Sequence, residues 1–543
     1  MKEACETLLL HGGAKRDIAK AGRLLAAGEV VAVPTETVYG LAANALDEQA
    51  VLRIFEAKGR PQDNPLIVHV SALEQIDPLV TEFPAVARAL ARRFWPGPMT
   101  LVMKKSPRIP DRTSAGLDTV GIRMPTHPVA RAIIDAAGVP LAAPSANISG
   151  KPSPTTAADV MDDMAGRVAA VVDGGPCAVG VESTVIDVTG GVPRILRPGA
   201  ITEEMIAAAV GSAATDPAVN RGLAAGEKPK APGMKYRHYA PKAPIVLFEG
   251  PPEATLRALT EQAGQPWDGV LCFEESLPAV RQLCSRRVYS LGYSWDHEAH
   301  SRRLFALLRQ FDRTRAKRIL AQCPRPFGAG AGTVNRLRKA AGFQSVDCRG
   351  GKTVIGVTGR SGSGKSVFSA ILAEKGALML DADAIYRELV TNDSEMLAAI
   401  GSRFPGVVRS GVLDRRALGA LVFSDAQARL DLNAITHGRV GAVIRERIAD
   451  SDAPLAVLDV PLLFESGIDR LCDVTLAVLV PREVSRKRIL SRDDVTPEQA
   501  EARLAAQPDD EYYRKHCDLL LQNLGSRADL EGQTRMFFEK YCK

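Results

Sequence analysis

A glycine-rich segment in the last third of the chain has the residue types and spacing of a phosphate-binding loop. Residues 359–366 read Gly-Arg-Ser-Gly-Ser-Gly-Lys-Ser, which fits the pattern GxxxxGK[ST]. Glycines let backbone N–H groups turn toward phosphate oxygens, and the start of a following helix adds partial positive charge. In such a loop Lys365 contacts the β- and γ-phosphates and Ser366 binds Mg²⁺. The groups predicted to bind ATP here are Gly359, Gly362, Ser363, Gly364, Lys365 and Ser366.

Two carboxylates and a basic cluster further along the chain could act on a bound phosphate. Asp381 and Asp383 follow the apolar segment 377–380, and paired carboxylates at the end of a strand can activate a hydroxyl or hold a metal. Either carboxylate could equally cap the following helix. The basic cluster between Arg486 and Arg492 either neutralises a transferring phosphate from a mobile lid or forms a solvated helix face.

Polar residues in the first 200 positions form a second set. Residues 34–40 (Pro-Thr-Glu-Thr-Val-Tyr-Gly) follow an apolar segment, and Lys58 and Arg60 flank a glycine, which suits a triphosphate clamp. Each segment alone is also explained by a turn or an exposed side chain. The chain has eight histidines without ligand spacing, so no zinc site is predicted. The other segments of this set are Asn64 to Leu66, His69, and residues 121–125, 143–150, 181–185 and 196–199.

The elements that must position these residues alternate between strands and helices, which predicts an α/β protein. A strand before the glycine-rich loop and a helix after it supply the context that the motif requires. Residues 212–230 lack an apolar period and predict a linker. The predicted strands are 30–33, 66–68, 245–248, 269–273, 353–357 and 377–380, and the predicted helices are 84–93, roughly 298–321, and 367–374.

The composition is that of an ordinary globular chain, with 46% hydrophobic and 24% charged residues. At about 150 residues per domain, 543 residues predict three or four domains. The net charge of +6 is the sum of +8 in the first 350 residues and −2 in the rest, and the basic front part permits anionic ligands without requiring them. Nine cysteines without a CxxC pair, no secretory signal and no long apolar segment predict a soluble cytoplasmic protein with no membrane contact.

Residues 15–210 resemble the threonylcarbamoyl-AMP synthases of the YrdC-like group, because the polar segments occur in that family's order. The resemblance implies that L-threonine, bicarbonate and ATP give threonylcarbamoyl-AMP and pyrophosphate. Downstream transfer proteins would then modify tRNA, so tRNA would be only an indirect partner. The residues that it implies for L-threonine are Thr35, His69, Arg123 and Ser183. Those that it implies for ATP are Lys58, Arg60, Asn64, Thr119, Ser145, Asn147, Ser153, Arg197 and His238.

The middle of the chain resembles the rest of the longer form of this synthase. Residues 233–241 resemble its linker, in which His238 and Tyr239 either gate the site or merely pack. Residues 328–341 resemble the end of its C-terminal domain, which is small and Rossmann-like in the family. The glycines at 328–332 are not a dinucleotide fingerprint, since they do not follow the first strand of the unit.

Residues 353–543 resemble dephospho-CoA kinase. The matching segments are the glycine-rich loop and residues 381–383, 413–418, 422–423, 435–437, 459–466, 492–495 and 503–507. The resemblance implies transfer of the ATP γ-phosphate to the ribose 3′-hydroxyl of dephospho-CoA, with Asp383 as base and with Lys365 and the lid residue Arg492 also catalytic. Arg360 and Gly438 depart from the family pattern, and Arg360 is expected to add bulk and charge beside the phosphates.

The sequence therefore predicts an α/β multidomain protein with two active sites. The predicted domains are a YrdC-like twisted-sheet α/β domain (1–211), a linker closing the synthase site (212–243), a Rossmann-like α/β domain (244–346) and a P-loop NTPase α/β/α kinase domain (352–543). The alternative is an RNA-binding YrdC-like module fused to a nucleoside or small-metabolite kinase. Aromatic residues make up only 5% of the chain, which counts against a stacking surface for RNA.

Overall fold

The computed structural model describes residues 6–221, 239–284, 287–493 and 495–542. The chain divides into two compact units. The first unit comprises residues up to 249 together with 258–346, and the second comprises residues 250–257 together with 347–543. The strands form three large sheets and one two-stranded hairpin.

The first sheet is mixed and has eleven strands in the order β1-β8-β2-β3-β7-β4-β6-β5-β9-β10-β11. Its strands are β1 (Leu8–His11), β2 (Val31–Val33), β3 (Gly40–Asn44), β4 (Ile67–His69), β5 (Met99–Lys104), β6 (Thr119–Arg123), β7 (Leu141–Ala142), β8 (Ala170–Asp173), β9 (Thr184–Asp187), β10 (Arg194–Arg197) and β11 (Ala214–Thr215). The helices of this part are α1 (Lys15–Ala26), α2 (Glu48–Lys58), α3 (Ala85–Phe94), α4 (Asp111–Ser114), α5 (Pro128–Ala137), α6 (Ala157–Met164), α7 (Glu203–Val210) and α8 (Ala218–Arg221). Parallel pairing of β4 with β6 brings the polar ends of these two strands together.

The ends of α2 illustrate how the local sequence places site residues. The side chain of Asp47 caps the helix by accepting hydrogen bonds from the backbone of Gln49 and Ala50. Gly59 ends it in the left-handed conformation, with φ of +60°, which suits a glycine. Lys58 therefore occupies the last helical turn, and Arg60 lies just beyond it.

The second sheet has the order β14-β13-β15-β12-β16, and its first four strands are parallel. Its strands are β12 (Ile245–Glu249), β13 (Asp268–Cys272), β14 (Val288–Ser290), β15 (Arg318–Gln322) and β16 (Ser345–Asp347), and the helices are α9 (Pro252–Gln262), α10 (Leu277–Leu283), α11 (His297–Asp312) and α12 (Gly330–Ala340). The prediction of helix to residue 321 is wrong at its end, because α11 stops at Asp312 and β15 follows. Residues 319–321 are fully buried between two parallel neighbours, and a short buried strand has no alternation that separates it from a helix.

The second unit contains a five-stranded parallel sheet in the order β18-β21-β17-β22-β23. The strands of this unit are β17 (Thr353–Thr358), β18 (Leu378–Asp381), β19 (Val408–Arg409), β20 (Val412–Leu413), β21 (Leu455–Asp459), β22 (Val474–Leu479) and β23 (Leu519–Gln522), of which β19 and β20 form the hairpin. The helices are α13 (Lys365–Glu374), α14 (Ala382–Asn392), α15 (Ser394–Arg403), α16 (Arg415–Ser424), α17 (Ala426–Asp450), α18 (Arg482–Arg492), α19 (Pro497–Ala505), α20 (Asp510–His516) and α21 (Arg527–Tyr541). The predicted α/β fold class is confirmed, while the predicted domain boundaries stay predictions.

Two further expectations concern the described residues only. Their helices include none that combines the length and the apolar character of a membrane span. Their eight cysteines are all free thiols, and six of them are buried.

Packing under the glycine-rich loop predicts opposite effects for two glycine substitutions in the second unit. A Cβ at Gly356, in the centre of β17, would lie 2.7 Å from Sγ of Cys472 and 3.0 Å from a methyl of Leu463. Gly356→Ala should therefore destabilise this unit by about 1–3 kcal/mol through overpacking. Gly532→Ala is the control, because that exposed glycine of α21 has open space around it. The control should stabilise the unit by about 0.5–1 kcal/mol. Denaturant unfolding measures both, and a neutral Gly356→Ala would contradict the packing.

Candidate active sites

A pocket in the first unit, which we call the first-unit pocket, collects side chains from several strands of the first sheet. Arg123 ends β6 and His69 ends β4, and these two residues are direct neighbours in the parallel pair. Arg123 Nη2 lies 2.8 Å from Oε1 of Glu36, and both side chains are buried. Burial and the nearby Arg123 charge lower the pKa of His69 to about 3, so its imidazole is neutral. A guanidinium can bind a carboxylate through two N–H groups, and a neutral imidazole beside it can donate or accept one further hydrogen bond.

Hydroxyl groups lie around this pair. Thr35 Oγ1 donates to the carbonyl of Val38 at 2.6 Å. Ser183 Oγ is 2.8 Å from Oγ1 of Thr100, and the guanidinium of Arg197 donates to both the carbonyl and the hydroxyl of Ser183 at 3.1 Å. Burial, followed by the charge of Arg336, lowers the pKa of Arg197 to about 10, which still leaves it charged at neutral pH. The residues predicted for L-threonine therefore line one pocket: Thr35, His69, Arg123 and Ser183.

Five of the nine residues predicted for ATP lie in or directly behind the same pocket. Four of them line it directly: Arg60, Ser145, Asn147 and Arg197. Lys58 is buried behind them, where its Nζ donates to the carbonyls of Ser145 and Asn147, the latter at 2.7 Å. Burial and then the charge of Arg60 hold the pKa of Lys58 well below its usual value.

Three other predicted ATP residues do not line this pocket. Asn64 is fully buried, and its side-chain amide makes no hydrogen bond to the described residues. Ser153 is also fully buried, and its hydroxyl donates to Glu182 at 2.5 Å. Thr119 begins β6, opposite Lys104, four residues before Arg123. His238 lies outside the described residues.

A second site, the P-loop cleft, lies where β17 passes through the glycine-rich loop into α13. Gly359 and Gly364 have φ of +135° and +105°, and a Cβ at Gly359 would lie 2.4 Å from the carbonyl oxygen of Val478. Lys365 Nζ donates to the Gly359 carbonyl at 2.6 Å. Asn523 donates to the Ser363 carbonyl at 2.7 Å, so the outside of the loop is held by the end of the sheet. The cleft has a volume of about 700 Å³, which accommodates a nucleotide.

Three carboxylates line the P-loop cleft, two at the ends of neighbouring strands and one in the first turn of α14. Asp381 ends β18 and caps α14, since its Oδ1 accepts from the backbone of Asp383 at 2.8 Å and of Ala384 at 3.0 Å. The capping interpretation thus holds for Asp381, whereas Asp383 lines the cleft without a capping bond of this kind. Burial, and then the charge of Asp381, raise the pKa of Asp383, which suits a group that accepts a proton. Asp459 ends β21 beside Asp381, and its pKa is raised by burial.

The basic residues of α18 divide between the two predicted roles. Arg486 and Lys487 are exposed, in line with a solvated helix face. Arg488 donates to the Gly362 carbonyl at 3.2 Å and supports the loop. Arg492 lines the cleft and pairs with the adjacent Asp493 at 2.8 Å.

Arg360 does not point its charge at the phosphate position as expected. Its Nε donates to the carbonyl of Pro508 at 3.0 Å, and its Nη2 lies 3.0 Å from Asp510. The neighbouring residue Ser361 exchanges two hydrogen bonds of 3.0 Å with the amide of Gln507. Through these contacts Arg360 connects the loop to residues 508–510 at the start of α20, where its charge is paired.

Comparisons with known proteins match residues 23–342 and residues 353–529 to different enzyme families. Residues 23–199 match the Sua5, YciO and YrdC family model, described as telomere recombination, and residues 201–342 match the threonylcarbamoyl-AMP synthase C-terminal domain. Residues 353–529 match the dephospho-CoA kinase family. The threonylcarbamoyl-AMP synthase of Pyrococcus abyssi is 47% identical over 59% of this chain and 92% of its own length. The dephospho-CoA kinase of Anaeromyxobacter dehalogenans is 42% identical over 33% of this chain and 88% of its own length.

The chain belongs to the threonylcarbamoyl-AMP synthase family and, through residues 353–529, to the dephospho-CoA kinase family. A crystal structure of P. abyssi Sua5 complexed with L-threonine superimposes with a TM-score of 0.59 at 44% identity, over 63% of this chain and 99% of that one. The predicted combination of a synthase and a kinase, with both enzyme classes, is confirmed. The RNA-binding alternative finds no support in these matches.

Some residues of both sites were missed as site residues by the sequence. Glu182 lines the first-unit pocket, and Asp459 lines the P-loop cleft. Tyr239, for which the sequence left gating and packing open, also lines the first-unit pocket. Asp459 could have been found, because it directly follows a buried apolar strand that leads toward the loop. Glu182 had only a weaker signal, as one charged residue in a segment that otherwise contributed Ser183.

The carboxylate pair predicts a shift in the pH dependence of the kinase. Asp383 can accept a proton only when ionised, so the kinase kcat/KM falls as pH drops through its raised pKa. Asp381→Asn keeps a side chain that can cap α14 but removes the charge that raises this pKa. The acid limb of the kcat/KM profile should therefore move to lower pH. The control is Asp425→Asn, a substitution at the cap of α17 outside the cleft. An unmoved profile for Asp381→Asn would show that Asp383 is not the titrating group.

Proposed function

We propose that the first-unit pocket binds L-threonine at Arg123 and ATP at the Lys58, Arg60 and Arg197 cations. The observation that carries this proposal is that Arg60, Arg123 and Arg197 line one pocket although they come from the end of α2, from β6 and from β10, with Lys58 bonded behind it to Ser145 and Asn147. The threonine carboxylate would pair with Arg123, and the hydroxyls of Thr35 and Ser183 would complete the contacts. The L-threonine in the P. abyssi Sua5 structure supports the assignment of the amino acid.

The reaction requires bicarbonate as a third substrate. The threonine nitrogen forms a carbamate with bicarbonate, releasing water. A carbamate oxygen then attacks the α-phosphate, and pyrophosphate leaves. Carbamates decompose in water, so a pocket built from buried side chains favours the second step over loss of the intermediate. The buried cations would stabilise the charge on the triphosphate as pyrophosphate departs. The product would serve tRNA modification through separate transfer proteins, without direct tRNA binding by this chain.

For the P-loop cleft we propose a direct phosphate transfer. Asp383 accepts the proton of the dephospho-CoA 3′-hydroxyl, and the oxygen attacks the γ-phosphorus while ADP leaves. Lys365 and Arg492 neutralise the charge of the transferring group. Lys365 now bonds to the Gly359 carbonyl, so its ammonium already lies at the loop before a nucleotide enters.

Mg²⁺ fits the donors of this cleft when it arrives with the nucleotide. In the described part of the chain, no group of three or more His, Cys, Asp or Glu side chains could hold a metal unaided. The cleft instead offers the Ser366 hydroxyl and the Asp459 carboxylate, which are hard oxygen donors suited to a cation that keeps phosphate oxygens and water. Bound Mg²⁺ would neutralise phosphate charge, and Ser366 would be its ligand from the loop.

Two single substitutions test whether the sites act independently. Lys365→Ala should lower ADP formation from dephospho-CoA and ATP by about a hundredfold or more, and leave threonine-dependent pyrophosphate release unchanged. Arg197→Met should have the opposite pattern, since it removes a buried cation of the first-unit pocket. Assays of both products on the same purified chain measure the two effects. Loss of both activities in either variant would contradict independent sites. An unaltered chain without threonine- and bicarbonate-dependent pyrophosphate release would refute the synthase proposal.

A further inference from the structure

Arg336 is a charged side chain with no exposed surface. It lies on α12, a helix beside the second sheet, but it bonds to residues around the first-unit pocket. Its Nε donates to Oε2 of Glu182 at 2.9 Å, and its Nη2 donates to the Glu182 carbonyl at 3.1 Å. Its Nη1 donates to the carbonyl of Pro198. One guanidinium therefore holds two separate segments of the first sheet.

Both segments carry residues of the proposed synthase site. Glu182 precedes Ser183, and its second carboxylate oxygen accepts from Ser153 at 2.5 Å. Pro198 follows Arg197, which itself donates to Ser183. The position of Arg336 thus determines the relative placement of Ser153, Ser183 and Arg197.

Gly332 lets α12 come this close, and Gly199 lets the segment after β10 approach the segment before β9. A Cβ at Gly332 would lie 3.1 Å from Cα of Gly199, and a Cβ at Gly199 would lie 2.6 Å from the backbone nitrogen of Thr184. A side chain at either position would force the chain segments apart. The reach of Arg336 to Glu182 depends on this spacing.

A second arginine, on another helix beside the second sheet, contacts the segment that precedes Ser153. Arg309 on α11 is buried, and its Nη2 donates to the carbonyl of Pro152 and to Asp163, both at 2.7 Å. Pro152 directly precedes Ser153. Two helices beside the second sheet therefore hold Ser153. Helix α11 does so through the backbone of Pro152, and α12 does so through Glu182.

The charges around Arg336 favour an anion in the pocket. Burial and then the charges of Arg336 and Arg197 lower the pKa of Lys339 to about 7. Cationic groups thus crowd around Glu182, which is the carboxylate that pairs with Arg336. Phosphate groups that bind near these buried positive charges would stabilise them and be stabilised in turn.

We propose that Arg336 and Arg309 are positioning residues of the synthase reaction, so that the second sheet completes the nucleotide-binding part of the first-unit pocket. This inference rests on the proposed function of that pocket. Neither arginine needs to touch a substrate. Arg336 fixes Ser183 and Arg197, which line the pocket, and both arginines fix the buried Ser153.

The test uses the full chain, because its kinase activity reports the concentration of folded second unit in the same tube. Arg336→Met should lower kcat/KM for ATP in threonine-dependent pyrophosphate release by about tenfold or more, mainly through KM for ATP. Kinase activity should not change. Arg336→Lys should restore part of the loss, because a lysine can still pair with Glu182. The control is Arg338→Met on the same helix, whose side chain pairs with Glu249 and should leave both activities unchanged.

A double substitution separates positioning from simple stabilisation. If Arg336 acts through Glu182 on Ser153, then Ser153→Ala should cost much less in the Arg336→Met chain than in the unaltered chain. Additive effects would overturn the proposal. It also fails if Arg336→Met keeps kcat/KM within twofold, or if its loss of activity equals the loss of folded first unit measured by thermal unfolding.

Should the Met variant not fold, Arg336→Lys decides by the same KM comparison per folded molecule. An unaltered chain inactive in pyrophosphate release refutes the proposed function, whereas an active chain with an unimpaired variant refutes only the positioning role.

Discussion

The first-unit pocket keeps Lys58, Arg123 and Arg197 away from water, and a buried cation is tolerated only where acceptors surround it. Lys58 finds them in the carbonyls of Ser145 and Asn147, whereas in the P-loop cleft the partly exposed Lys365 donates to the carbonyls of Gly359 and Arg360. Carbonyl groups neutralise such a charge only partly, so the lysines remain available to an incoming phosphate. The same constraint explains why the approach of α12 to the first sheet brings Arg336 and Glu182 together as a pair.

The two sites draw their binding groups from different numbers of chain segments. In the proposed function the P-loop cleft would draw most of its phosphate contacts from residues 359–366, because the loop backbone and the start of α13 offer N–H groups to an anion. The first-unit pocket has no such loop and uses side chains from several strands. It therefore depends more on the correct assembly of the sheet, and on contacts such as those of Arg309 and Arg336 that hold its segments in place.

Much of the fold was predictable because polar motifs follow apolar strands in this chain. The P-loop and its flanking elements, and the α/β class, follow directly from local patterns. Residues 319–321 were misassigned because a short apolar segment buried on both faces carries no period. For Asp381 and Asp383 the pattern offered capping and catalysis alike. The hydrogen bonds from the backbone of α14 to Asp381 show that Asp381 caps the helix. Asp383 has no such capping role and lines the cleft.

The sequence by itself determined the two chemistries, because phosphate-binding loops and ordered polar segments depend on residues that are near each other along the chain. It also determined which cations are available to each site. Tertiary structure alone decided which of those charges are buried, what neutralises them, and which way Arg360 turns. It also decided that Arg336 of α12 pairs with Glu182, 154 residues earlier in the chain. The physical reason is that burial and pairing depend on segments distant in sequence, whose approach no local pattern encodes.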